Sequence, residues 1–156
     1  MRRAKSDNRI TAPDVRYNNV TIQTLIHHMF TRGKKSTATS VMYDAMDIIK
    51  ERSGGKDPVE VFESALKNVA PVMEVRPRRV GGATYQVPME VPPARRTTLA
   101  IRWVLDAAKA RTGKSFADKL ADELLDAYKN EGASIRKREE AHKMAEANRA
   151  FSHYRM

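Results

Sequence analysis

The chain has no cysteine, which removes disulfides, thiolate metal sites and cysteine nucleophiles together. Acidic residues are also scarce. Nineteen Asp and Glu face 29 Lys and Arg, giving a formal net charge of +10 and a sequence pI of about 10.0. That imbalance points to a polyanionic partner, nucleic acid or anionic surface, without choosing between them. No apolar run approaches the ~20 residues that span a bilayer, and the basic N-terminus is not followed by the apolar stretch of a signal peptide. A soluble protein that is neither secreted nor membrane-bound is expected. Histidines are few: His27 and His28 fall on different faces of a helix, while His142 and His153 stand alone, so no metal-ligand spacing exists. The run A-K-A-R-T-G-K-S at 108–115 ends like a phosphate-binding loop, but it starts with Ala108 and follows a helix rather than a strand. With no serine elbow either, no enzyme activity, cofactor, metal or small-molecule substrate is expected.

What the chain does have is concentrated at 72–93, V-M-E-V-R-P-R-R-V-G-G-A-T-Y-Q-V-P-M-E-V-P-P. Gly81-Gly82 divides two β-prone runs, and paired glycines supply the positive φ angles of a two-residue hairpin turn. The implied register sets Val80 opposite Ala83, Arg78 opposite Tyr85, Arg76 opposite Val87 and Val75 opposite Pro88. Alternation from the turn then puts Pro77 and Pro88 in pairs that need no proline N–H. Further strands would need those donors, so the ribbon is expected to project as two strands. A lone two-stranded ribbon is marginal in water. Arg76, Arg78 and Arg79, with no acid between them, name a polyanion as the partner that would hold it. Arg76 and Arg78 share a face with Tyr85, setting guanidinium groups for phosphate beside a ring for a base. The plainer alternative is a solvated hairpin whose arginines guard an edge.

At 156 residues the chain suits one domain able to bury roughly 70% of its unfolded surface. Residues 1–19, with Arg2, Arg3, Lys5 and Arg9, read as an extended basic arm. A first helix runs from Val20 through Ile22, Leu25, Ile26, Met29 and Phe30 to a stop at Gly33. The link Arg32-Gly33-Lys34-Lys35-Ser36 sets three cations on a slim backbone, suited to close approach by phosphate. Ala38, Val41, Met42, Ala45, Ile48 and Ile49 mark a second helix. Asp57-Pro58-Val59-Glu60 opens a third as a capping box, and Pro71 closes it. A fourth helix over 94–111 buries Ile101, Val104, Leu105 and Ala108 and carries Arg95, Arg102 and Lys109 on the other face; Arg102 could pair instead with Asp106. Ser115 caps a fifth, which buries Phe116, Leu120, Leu124 and Ala127 and ends near Gly132. Ser134 is expected to cap the sixth, whose Arg138, His142, Ala145 and Arg149 form a basic stripe, with Glu139 and Lys143 pairing beside it. The segment 152–156 interleaves aromatic and basic groups as a base-stacking tail would. The expected fold is mainly α: a single domain of about six helices over 20–151, with a protruding two-stranded β-ribbon at 72–92.

Five segments carry a resemblance: P-D-V-R-Y at 13–17, M-F-T-R-G-K-K-S at 29–36, V-R-P-R-R-V-G-G-A-T-Y-Q-V-P at 75–88, A-R-R-T-T-L-A-I-R-W at 94–103, and K-R-E-E-A-H-K-M-A-E-A-N-R-A-F-S-H-Y-R at 137–155. Together and in order they resemble the bacterial form of ribosomal protein seven of the small subunit. The resemblance implies six helices with a ribbon, binding to the 3′ major domain of 16S ribosomal RNA, and nucleation of head assembly. It further implies a place at the subunit interface near the decoding centre, reaching exit-site transfer RNA and the messenger path, beside small-subunit proteins nine and eleven. A bacterial cytoplasmic ribosome is the expected location, an organellar one the alternative. Carried onto this chain, the RNA-contacting set comprises Arg2, Arg3, Lys5, Arg9, Arg32, Lys34, Lys35, Arg76, Arg78, Arg79, Tyr85, Arg95, Arg96, Arg102, Lys114, Arg138, His142, Lys143, Arg149, Tyr154 and Arg155. The chain departs from the family pattern in its first dozen residues and at Met156, where an aromatic commonly stands.

Two rivals remain at the level of sequence. A basic ribbon on a helical body also suits a DNA minor groove, although architectural proteins often kink DNA with an apolar wedge and the tip here is Gly81-Gly82. An RNA-processing enzyme with an unrecognised site is the second. Repression of translation from its own messenger is compatible with the main reading.

Overall fold

The computed structural model describes residues 9–113 and 115–154. Among these, the elements run α1 (Val20–Met29), α2 (Lys35–Arg52), α3 (Pro58–Val69), β1 (Met73–Val80), β2 (Ala83–Glu90), α4 (Pro93–Ala110), α5 (Phe116–Tyr128), α6 (Ala133–Ala147) and a 3-10 helix (Arg149–Tyr154). The mainly helical domain with one antiparallel ribbon is the architecture expected. The register is also the expected one: Val80 pairs with Ala83, Arg78 with Tyr85, Arg76 with Val87 and Val75 with Pro88.

The apolar faces of the helices meet in one core. Ile22, Leu25 and Ile26 of α1, Met42, Met46 and Ile49 of α2, Phe62 of α3, Ile101 of α4 and Leu120 and Leu124 of α5 are all fully buried. Each such side chain contributes on the order of 2 kcal/mol of transfer free energy. α5 lies against α2, α3 and α4, which makes it the central helix.

Local chemistry sets the helix ends. Asn19 caps α1, its Oδ1 accepting from the N–H groups of Thr21 (2.8 Å) and Ile22 (3.2 Å). Asp57 caps α3 by accepting from the Val59 N–H at 3.1 Å, and Ser115 caps α5 by accepting from the Asp118 N–H at 3.1 Å. α5 stops short of Gly132. Asn130 adopts a positive φ of 61°, and the Asn130 and Glu131 N–H groups return to the carbonyls of Ala127 (3.1 Å) and Asp126 (2.8 Å), a Schellman closure.

Three local expectations are corrected. Gly132, not Ser134, is the N-cap of α6, because Ser134 is fully buried and directs both its N–H (3.0 Å) and its hydroxyl (2.6 Å) to Oε1 of Glu123 on α5. α1 ends at Met29 with Phe30 already extended, so the turn to α2 is carried by positive φ at Arg32 (55°) and Gly33 (75°). The basic arm is fastened from Asp14 onward. Buried Asp14 accepts from the N–H groups of Arg16 and Tyr17 (both 3.0 Å) and from the Tyr43 hydroxyl (2.8 Å). Arg16 grips Asp47 through two bonds of 3.2 and 2.5 Å.

Candidate nucleic-acid interface

The ribbon leaves the body between α3 and α4 and is held at its base by side chains that the charge pattern marks as candidate contacts. Glu74 on β1 accepts from Arg76 Nε at 2.7 Å and from Arg95 Nε of α4 at 3.0 Å. Burial works to raise the Glu74 pKa, but the hydrogen bonds from Arg95 and Arg76 outweigh it and hold the carboxyl below its ordinary value. Arg96 donates to the Val91 carbonyl (2.8 Å) and to Glu90 (2.9 Å), tying α4 to the end of β2. On the other side, the stripe of α6 turns toward the ribbon base. Arg138 donates to the Asn68 carbonyl at 2.5 Å, and His142 Nε2 accepts the Val72 N–H at 3.0 Å. Burial, then the nearby charge of Arg138, lowers the His142 pKa, so the neutral ring that can accept that bond is favoured. Ala145 is buried in the same seam, which explains a small residue in mid-stripe.

A second group of cations is exposed. Arg32 and Lys34 in the turn before α2 cluster with Lys35 at its first position, and the N-terminus of α2 has no side-chain cap and no acid in its first turn. Arg79 near the ribbon tip, Arg102 on α4, Lys143 on α6 and Arg149 at the start of the 3-10 helix are exposed too, as is Arg9. The Arg102–Asp106 and Glu139–Lys143 pairs do not form among the described residues; Glu139 lies instead 3.9 Å from Arg138. Arg2, Arg3, Lys5, Lys114 and Arg155 lie outside the described residues. Tyr85, expected as an open ring, is half-buried: Tyr154 stacks on it at 5.0 Å and Phe151 packs at 5.3 Å. The segment 152–154 thus belongs to a 3-10 helix lying against β2.

Sequence reasoning missed Glu123, a fully buried carboxylate bound by Ser134 on one oxygen and by Arg111 Nε (2.7 Å) on the other. Its signal was its phase, since it lies three residues after Leu120 on the core face of α5. Gly132 shares this site: a Cβ there would lie 3.0 Å from Glu123 Oε1. Among the described residues there is no cluster of three or more metal-ligating side chains and no helix long and apolar enough to cross a membrane.

A rigid helical body that braces a basic ribbon and leaves cations exposed on several separate elements defines a class, the basic nucleic-acid-binding structural proteins. A family model described as ribosomal protein S7p/S5e matches residues 1–149. The small ribosomal subunit protein uS7 of Fervidobacterium nodosum is 53% identical over 155 residues, covering 99% of both chains. That of Thermotoga petrophila is 54% identical with the same coverage, and that of Endomicrobium trichonymphae is 59% identical over 143 residues, 92% of this chain and 89% of its own. The chain belongs to the ribosomal protein S7p/S5e family, and as such is not an enzyme.

Proposed function

We propose that the protein is a structural constituent of the small ribosomal subunit that binds the 3′ major domain of 16S ribosomal RNA, holds separate RNA segments in fixed relative orientation, and so nucleates assembly of the head. The observation that supports this most directly is the division of its cations into two sets. Arg95, Arg96 and His142 set the ribbon on the body and Arg138 ties α6 to α3, while Arg32, Lys34, Lys35, Arg79, Arg102, Lys143 and Arg149 present exposed charge on separate elements. Phosphate contacts by the second set position the RNA, and unpaired bases are read by shape and stacking. Arg76 and Arg78 join this surface along the ribbon. Arg2, Arg3, Lys5, Arg9, Lys114 and Arg155 extend it. In the assembled subunit the ribbon and the C-terminal helix face exit-site transfer RNA and the messenger path, and small-subunit proteins nine and eleven are the protein neighbours. The same surface would serve repression on its own messenger.

The test is equilibrium binding to a 3′-domain fragment of 16S ribosomal RNA and to duplex DNA of equal length across a salt series. The native protein is compared with a variant carrying Arg76→Ala, Arg78→Ala and Arg79→Ala. Preference for the RNA by well over ~10-fold, with a salt slope shallower by about one unit per lost phosphate contact, is expected. Equal binding to RNA and DNA, with the variant indistinguishable from native, would overturn the reading in favour of a generic or DNA-architectural role.

A further inference from the structure

Two features that sequence alone marks as base-stacking groups, Tyr85 on the ribbon and the aromatic C-terminal stretch, meet each other in the folded chain. Tyr154 lies over Tyr85 with ring centroids 5.0 Å apart and planes 29° from parallel. Phe151 closes on the same ring at 5.3 Å and 46°, and His153 packs on Tyr154 at 4.0 Å. A stacked partner near 5 Å is the contact that a nucleobase makes with a tyrosine. The cross-strand neighbour of Tyr85 is Arg78, and Arg76, two residues back on β1, shares that face, so phosphate-seeking charge flanks the ring. The cover is poorly rooted. It is a six-residue 3-10 helix, a form with weaker hydrogen-bond geometry than an α-helix, and none of its residues is buried. Segments of this kind open at low free energy.

We infer that Tyr85 is a stacking site for an unpaired nucleobase, and that Phe151 and Tyr154 occupy it in the free protein and yield it when single-stranded RNA binds. The inference rests on the RNA-binding reading above and specifies the ligand class of one part of that surface. The covering rings serve two ends. They shield the ribbon's aromatic face from non-specific association, and they delay its use until phosphate contacts have brought a strand alongside.

The probe is an oligoadenylate of about eight nucleotides, a length within one single-strand binding site. In the native chain, nuclear Overhauser contacts between the Tyr85 and Tyr154 rings are present in the free state and disappear at saturating oligoadenylate. A Phe151→Ser, Tyr154→Ser variant binds the probe about tenfold more tightly, because ring contacts of this strength no longer compete. Adding Tyr85→Ala to that variant abolishes the gain. Persistence of the ring contacts at saturation, absence of the gain, or its survival without Tyr85 would each overturn the inference. The 3′-domain fragment is measured in parallel. If the fragment binds while the ring contacts persist, this inference alone falls; if the fragment does not bind, the RNA-binding reading falls and this one with it.

Discussion

Glu123 is the point at which a single substitution tests how the ribbon's seat is built. The carboxylate is fully buried on the central helix, with Oε1 accepting two bonds from Ser134 and Oε2 accepting from Arg111. Arg111 also reaches Asp126, so it keeps one partner when Glu123 is lost. Glu123→Ala strips both Ser134 donors, in the first turn of α6, of their shared acceptor and leaves a void. Two buried donors without partners, at about 1 to 2 kcal/mol each after relaxation, together with a weakened ion pair, give a loss of about 3 to 4 kcal/mol. Glu123→Gln keeps an acceptor for Ser134 but turns an N–H toward the Arg111 N–H, for a loss of about 2 kcal/mol. In a domain of this size that corresponds to a fall in melting temperature of roughly 4–8 °C for Gln and roughly 6–16 °C for Ala. Urea unfolding followed by circular dichroism at neutral pH reads the difference, and hydrogen exchange should show the loss of protection beginning in α6. The order native, Gln, Ala is the diagnostic result. A loss under ~1 kcal/mol for Ala, or protection lost first in α1 or α2, would refute the assignment of Glu123 as the joint between α5 and α6.

Gly132→Ala meets the same joint from the other side. Its φ of 94° and the 3.0 Å approach of a Cβ to Glu123 Oε1 predict a loss of about 2 kcal/mol in the same urea assay. Asp14→Ala removes an acceptor shared by two N–H groups and the Tyr43 hydroxyl. It should cost about 2 kcal/mol and bring the Tyr43 titration down part of the way, since burial, the larger cause of its raised pKa, stays when donation to Asp14 is lost. For His142 the native pKa lies below the ordinary 6.5, so the unfolded chain binds the proton first on acidification. Its stabilising contribution is complete above pH 6.5 and fades as pH falls through the lowered native value, and His142→Leu should remove that part of the pH dependence. Glu74, held below its ordinary 4.5, contributes above pH 4.5 and loses that contribution as pH falls through its native value. Glu74→Gln should cost only about 1 kcal/mol at neutral pH, because both arginines remain well exposed.

Much of the fold is legible because local rules suffice for it. Gly81-Gly82 fixes the turn, the turn fixes the register, and the helical phase of residues such as Ile22, Met42, Phe62 and Leu120 identifies what is buried. The misses share a cause. Ser134 has the form of an N-cap, but the nearest strong acceptor is a carboxylate on another helix, and nothing local to 132–136 reveals it. Asp14 lies in a polar, proline-containing stretch that resembles an arm until Tyr43, 29 residues on, supplies a donor. The charge reading found the basic residues but could not divide them, since whether Arg138 faces RNA or the Asn68 carbonyl depends on where α6 packs on α3.

That division changes how mutations on the ribbon side should be read. Arg95 and Arg79 are alike in charge and both are exposed, yet Arg95 is bound to Glu74 and Arg79 lies near the tip. If Arg79 holds a phosphate as proposed, removing it should lower the salt slope by about one while leaving stability unchanged. Removing Arg95 loosens the ribbon from α4, so it should lower affinity through orientation, with ribbon hydrogen exchange accelerated and the salt slope nearly preserved. A variant at Arg95 that lowers the slope as Arg79→Ala does, with unaltered exchange, would show that Glu74 holds Arg95 only until phosphate replaces it. The bracing and binding sets would then be one set in two states.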